Sequence, residues 1–269
     1  MNAVTASVAA ASRLPRVISD RQVLVFTATL FVLLTIAGFA PSSLARIEAV
    51  QAGQRPPFPA VLHVHAVTMG AWLLLLLTQS ALAASGRRAL HRVLGIAGAG
   101  LVPVIVVTGV LLVDATWKQL WSPAAEAVMP AQVLGETRTF VSNILLLQVR
   151  ALVAFPLFIG WALWLRRRDA DAHRRLMLLG TAIPLLAGLD RLSEVLGWTT
   201  MPHSPLSMEF WLVGSVLPIL VMDFVRGRGL HATTKVWLVV NLVMATAVIL
   251  LWNSPWWLET APRLIGVAS

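Results

Sequence analysis

Seven long apolar runs constrain the fold of this chain more than any other feature. They cover roughly 23–40, 60–84, 90–113, 139–165, 173–195, 206–225 and 234–253. A run of about 20 apolar residues crosses a ~30 Å hydrocarbon core as an α-helix. The runs lack the period-2 alternation of a barrel strand. In lipid, backbone polar groups must be satisfied within the segment, which leaves the helix. The chain therefore reads as an all-α polytopic membrane protein with seven transmembrane helices. The reading divides it into a cytoplasmic tail (1–22), a first span with its outer loop (23–58), a four-helix core of spans two to five (59–197), and two flanking spans with an outer C-terminus (198–269).

Composition sharpens the class. Hydrophobic residues make up 58% of the chain and charged residues only 12%. A soluble domain carries about twice that charged fraction. The sequence has no cysteine, so disulfides, thiolate metal sites, iron–sulfur clusters and thioether-linked haem are excluded. The net charge of +9 does not point to nucleic acid, because the basic residues sit in short loops between apolar runs. With the N-terminus inside, the inner side holds 14 Lys and Arg and the outer side 6. The expected setting is thus a bacterial inner membrane, with the N-terminus cytoplasmic, the C-terminus periplasmic and the lipid bilayer as first partner.

Residues 1–45 have a basic start and a Ser43-Leu44-Ala45 step, but the apolar run is longer than a signal-peptide h-region, so a retained helix is expected. The one long connection, 114–138, carries Trp117 and Trp121 four residues apart, which suggests a short interfacial helix. Pro103, Pro156, Pro184 and Pro218 lie within spans and read as kinks. Gly95 and Ala99 allow close approach of a neighbouring helix.

An ionisable residue within a span is a functional hypothesis by default, and two groups emerge. The inner group is His91, Arg92, His173, Arg174 and Arg175, with Gln79 coming down to the same level. His91 opens the third span and His173 the fifth, both after a basic loop, so the two imidazoles lie at one depth. Two level histidines on two helices are what a bis-His haem requires, and adjacent arginines suit its propionates. A helix N-terminus also favours the neutral ring that ligates iron. The competing reading is a helix cap or a headgroup contact. The outer group is His65, Arg150, Asp190, Arg191 and Glu194. His65, Trp72 and Gln79 share a helix face at seven-residue spacing. Arg150 lies deep in the fourth span and needs a carboxylate, for which Asp190 or Glu194 is expected. This group is either a quinol, proton or ligand site or an inter-helix ion pair. His63 faces away from His65, and His203 and His231 read as solvated loop residues.

The order His65, Gln79, His91-Arg92-x-x-Gly95, His173-Arg174-Arg175-x-Met177 and Asp190-Arg191 resembles bacterial multi-pass proteins with HR-x-x-G and H-R-x-x-M signatures. It also resembles the small four-helix proteins that assist maturation of haem-copper oxidases. More distantly it is similar to transmembrane b-type cytochromes. That resemblance implies haem b on His91 and His173, with His65 matching one ligand of a second pair. The fourth span has no histidine to complete that pair. The expected function is a haem-b redox protein exchanging electrons with quinol or a respiratory complex. The alternatives are a non-catalytic assembly or stability factor for such a complex, and a small-molecule carrier.

Overall fold

A computed structural model describes residues 19–197, 205–225 and 229–267. Most of the expected cytoplasmic tail, together with His203, Arg226 and Arg228, lies outside them, as does the side chain of Glu194. Every regular element among the described residues is helical: α1 (Asp20–Gln51), α2 (Ala60–Ala84), α3 (Arg88–Leu120), α4 (Pro123–Val128), α5 (Ala131–Leu165), α6 (Ala170–Ala182), a 3-10 turn (Ile183–Leu185), α7 (Leu186–Val195), α8 (Pro205–Ser215), α9 (Leu217–Val225), α10 (Ala232–Leu251) and α11 (Pro255–Ile265). Six helices are long and apolar enough to span a membrane, and the bent pair α8–α9 makes a seventh if counted as one span. Large apolar side chains such as Phe26, Leu33, Val107, Leu157 and Leu242 face outward along these spans. This is a multi-pass membrane protein whose apolar exterior suits lipid.

The helix starts follow local chemistry. Ser19 and Gln22 form a reciprocal capping box at α1. The Asp169 carboxylate accepts from the backbone N–H groups of Asp171 and Ala172 at α6. Ser122 caps α4 ahead of Pro123, and Ser254 caps α11 ahead of Pro255. Pro103 and Pro156 sit inside continuous helices. Pro184 lies in the 3-10 turn between α6 and α7. Pro218 follows a break at Val216, where α8 and α9 meet at 51°.

The connection after the third span is shorter than the sequence suggests. Nothing before Trp121 breaks the helix, so α3 continues to Leu120 and carries Asp114 to Leu120 with it. Trp117 is fully buried and stacks on Trp121 at 4.6 Å, rather than anchoring the chain in an interface. The short helix expected there is α4 instead.

The fifth span, α6 through α7, is the most enclosed, with 61% of its apolar window buried against 17% for α2. It packs on α5, α1, α10 and α8. Helix α1 is clamped against it at one point: a Cβ on Gly38 would strike the Gly188 carbonyl oxygen and come within 2.9 Å of its carbonyl carbon. Only paired glycines let the two backbones approach so closely. The first span is therefore wedged into the core, along α2, α6 and α7.

Candidate functional site

The bundle has two ends. One, the arginine-rich end, carries the turns 85–87 and 166–169 and the start of α1; the other carries α4 and α11. At the arginine-rich end the chain builds one device twice. His91 is the fourth residue of α3, and its Nδ1 lies 3.2 Å from the Gln79 carbonyl oxygen of α2. His173 is the fourth residue of α6, and its Nδ1 lies 2.8 Å from the Ala162 carbonyl oxygen of α5. A carbonyl only accepts, so both Nδ1 atoms carry the proton. In the neutral ring the Nε2 lone pair is then free. Each histidine thus staples its helix back onto the preceding one while keeping a donor atom available.

The correspondence extends further. Seven residues past each histidine stands a buried glycine, Gly98 and Gly180. A Cβ on Gly98 would meet Leu75 Cδ2 at 2.9 Å, four residues before Gln79. A Cβ on Gly180 would meet Phe158 Cβ at 3.0 Å, four residues before Ala162. The sequence pattern H-R-x-L-x-x-x-G occurs at both places. The hairpins α2–α3 and α5–α6 are therefore a structural repeat, legible once the two segments are laid over each other.

Gln79 tightens the first copy. Its side-chain amide donates to the His91 carbonyl oxygen at 3.0 Å, so residues 79 and 91 are joined by two hydrogen bonds. The Gln79 Oε1 is buried without a partner. His173 lies within electrostatic range of His91, Arg166 and Arg174. Arg92 is exposed. Arg174 pairs with Asp171 and donates from Nε to the Ala170 carbonyl. Arg175 turns the other way: its Nε and Nη2 reach Asp223 Oδ1 at 2.9 and 2.7 Å. Asp223 also accepts from Thr234 Oγ1 at 2.8 Å and from the His231 backbone N–H at 3.0 Å. His231 is accordingly the half-buried N-cap of α10, not a solvated loop residue.

The second expected group does not assemble as one site. His65 donates from Nδ1 to Thr108 Oγ1 at 3.0 Å, since that hydroxyl already gives its proton to the Val104 or Ile105 carbonyl. Its ring lies over Gly109, where a Cβ would meet His65 Cε1 at 3.4 Å. Trp72, one heptad on, donates to Thr181 Oγ1 at 3.1 Å and so links the two hairpins. His63 is exposed and meets Phe58 edge-on. Arg191 lies over the Phe39 ring at 4.6 Å and donates to the Ala187 carbonyl. The Asp190 carbonyl accepts from Ser193.

Arg150 corrects the sequence reading. Its described carboxylate partner is not Asp190, and the side chain of Glu194, the other expected partner, lies outside the described residues. Both of its Nη atoms engage the carboxylate of Glu209 on α8, and Nη2 also donates to Asn241 Oδ1 on α10 at 2.7 Å. Arg150 is 3% exposed and does not snorkel, because its face of α5 looks into the gap between α8 and α10 rather than toward the end of α7. The signal for this partner was present: Glu209 and Asp223 both lie inside the sixth apolar run, where an acid demands a buried counter-charge.

Among the described residues no three or more His, Cys, Asp or Glu gather as metal ligands. No family model, no curated protein and no solved structure matches this chain.

Proposed function

We propose that this multi-pass membrane protein is a b-type redox protein, in which His91 and His173 would hold one haem at the arginine-rich end. The observation that carries the reading is the matched pair of imidazoles, each with Nδ1–H bonded to a backbone carbonyl. In a ligating histidine such a bond fixes the ring and its tautomer. Arg92, exposed and at hand, would bind one propionate. Arg174 would bind the other by exchanging its surface contact with Asp171, a type of pair worth about 0–1 kcal/mol. Gln79 would hold the His91 helix in register.

A haem held there would supply one-electron transfer. The protein's own part is to set the rings, exclude water with the flanking helices, and place positive charge at the membrane face. Quinol or a respiratory complex in the same bacterial inner membrane is the proposed electron partner. His65, whose Nε2 is likewise unprotonated in the neutral ring, is the proposed proton acceptor on the α4 side.

The test is a reduced-minus-oxidised visible spectrum of detergent-purified protein expressed with a haem precursor. A sharp reduced α-band with near-stoichiometric haem is expected, and His91→Ala and His173→Ala are each expected to abolish it while the protein still inserts. A flat spectrum from monodisperse, folded protein overturns the reading and leaves the assembly-factor alternative, to be pursued through co-purifying partners.

A further inference from the structure

The mid-membrane charge pair has chemistry that the redox reading does not use. Arg150 is a guanidinium, permanently charged in any protein environment, and its side chain is 2% exposed. Among the described side chains, one carboxylate neutralises it. That carboxylate, Glu209, is 18% exposed, so the pair is sealed on the arginine side and reachable on the glutamate side. Asn241 fixes the geometry: its Oδ1 accepts from Arg150 while its Nδ2 donates to the Trp237 carbonyl at 2.7 Å. The Arg150 Nε, also buried, has no acceptor among the described residues. A buried guanidinium therefore presents an unused N–H beside a partly exposed carboxylate. Glu209 sits on α8, the half of the broken span on the α4 side, which meets α9 at 51° around Val216.

We propose that Arg150 and Glu209 form a proton-coupled binding site for a small carboxylate anion. The coupling follows from charge balance. Protonating Glu209 alone leaves a buried unpaired cation, and admitting an anion alone adds a second negative charge to one guanidinium. Both are strongly unfavourable in a desolvated site. Together they restore neutrality: Glu209 takes the proton, and the incoming carboxylate takes its place on Arg150, with Nε available as a further donor. A planar carboxylate matches the guanidinium fork better than a spherical ion.

The charged groups on elements packed against α8 are few. Arg150 faces Glu209 from α5. Asp190, Arg191 and Glu194 lie on α7, Asp223 on α9, and Lys235 at the opposite end of α10. Arg46 and Glu48 lie in the last turns of α1, and Asp20 and Arg21 at its far start. Asp223 is already held by Arg175. Among these, Glu209 is the carboxylate bonded to Arg150.

The experiment is calorimetric titration of acetate into the protein in lipid nanodiscs, at pH 5.5 and 7.5, in two buffers of different ionisation enthalpy. Wild type is expected to take up about one proton per acetate bound and to bind at least about tenfold more tightly at pH 5.5. Glu209→Gln is expected to bind acetate at both pH values with no proton uptake, and to gain thermal stability from acetate. Asn241→Asp places a second carboxylate on Arg150 and is expected to bind no acetate while remaining folded. Acetate binding without proton uptake, or no acetate binding by wild type at pH 5.5, overturns the proposal even if Glu209→Gln fails to fold.

Discussion

The hairpins α2–α3 and α5–α6 share a local design and differ in their surroundings. Both place a histidine at the fourth position of the second helix, bond its Nδ1 to a carbonyl of the first, and cross at a glycine seven residues on. The first hairpin lies toward lipid: its α2 window is 17% buried, and Val93, two residues past His91, is 64% exposed. The second is enclosed by α1, α10 and α11. There the matching residue is Arg175, tied to Asp223. The local device is thus independent of its environment, whereas the residue beside it is dictated by what packs against it. A lipid-facing position takes valine, and a buried one takes an arginine only with a counter-charge.

Breaking that counter-charge gives the largest expected effect on this contrast. Asp223→Ala leaves Arg175 buried and unpaired and also removes acceptors for Thr234 and His231. A loss of about 3–5 kcal/mol is expected in detergent unfolding. Val93→Ala, the matching change in the first hairpin, is expected to stay within about 0.5 kcal/mol. Equal effects at the two positions would show that the hairpins are not differently embedded.

The crossing glycines sharpen the comparison at lower cost. An added methyl at Gly180 meets Phe158 Cβ, which is fixed to its own backbone, while at Gly98 it meets the mobile tip of Leu75. Gly180→Ala is expected to cost about 1–3 kcal/mol, as overpacking does. Gly98→Ala should cost less than half of that, measured in the same unfolding assay. If the order reverses, the second hairpin is the looser one.

The smallest effect concerns the bond between the hairpins. Trp72→Phe keeps the ring contact with Phe155 but removes the donor to Thr181. A loss of about 1 kcal/mol is expected. A double-mutant cycle with Thr181→Val should return a coupling of at least about 0.5 kcal/mol. No coupling would mean that the hairpins meet through apolar packing alone.

Much of this was legible in the residues themselves. The apolar runs located the spans, because each must satisfy its own backbone in lipid. The positions of His91 and His173 after basic turns predicted that they share a level, and both lie at the same end of the bundle. Gln79 was placed at that level by helical repeat alone, and it does touch His91. Less legible was the extent of α3, since a polar segment such as Asp114 to Leu120 reads as loop until Trp117 is seen buried.

What the sequence determined by itself is what depends on neighbours along the chain: helix, span, capping and depth. Only the tertiary structure decided which side chain meets which across helices. Arg150 found Glu209, some 59 residues away, and Arg175 found Asp223, 48 residues away. Gly38 found the Gly188 carbonyl on the fifth span. Helical periodicity fixes the face and height of a residue but not the identity of the helix opposite. That identity is set by which helices pack together, and in lipid the packing is chosen by close backbone contact and by buried charges that each admit one partner.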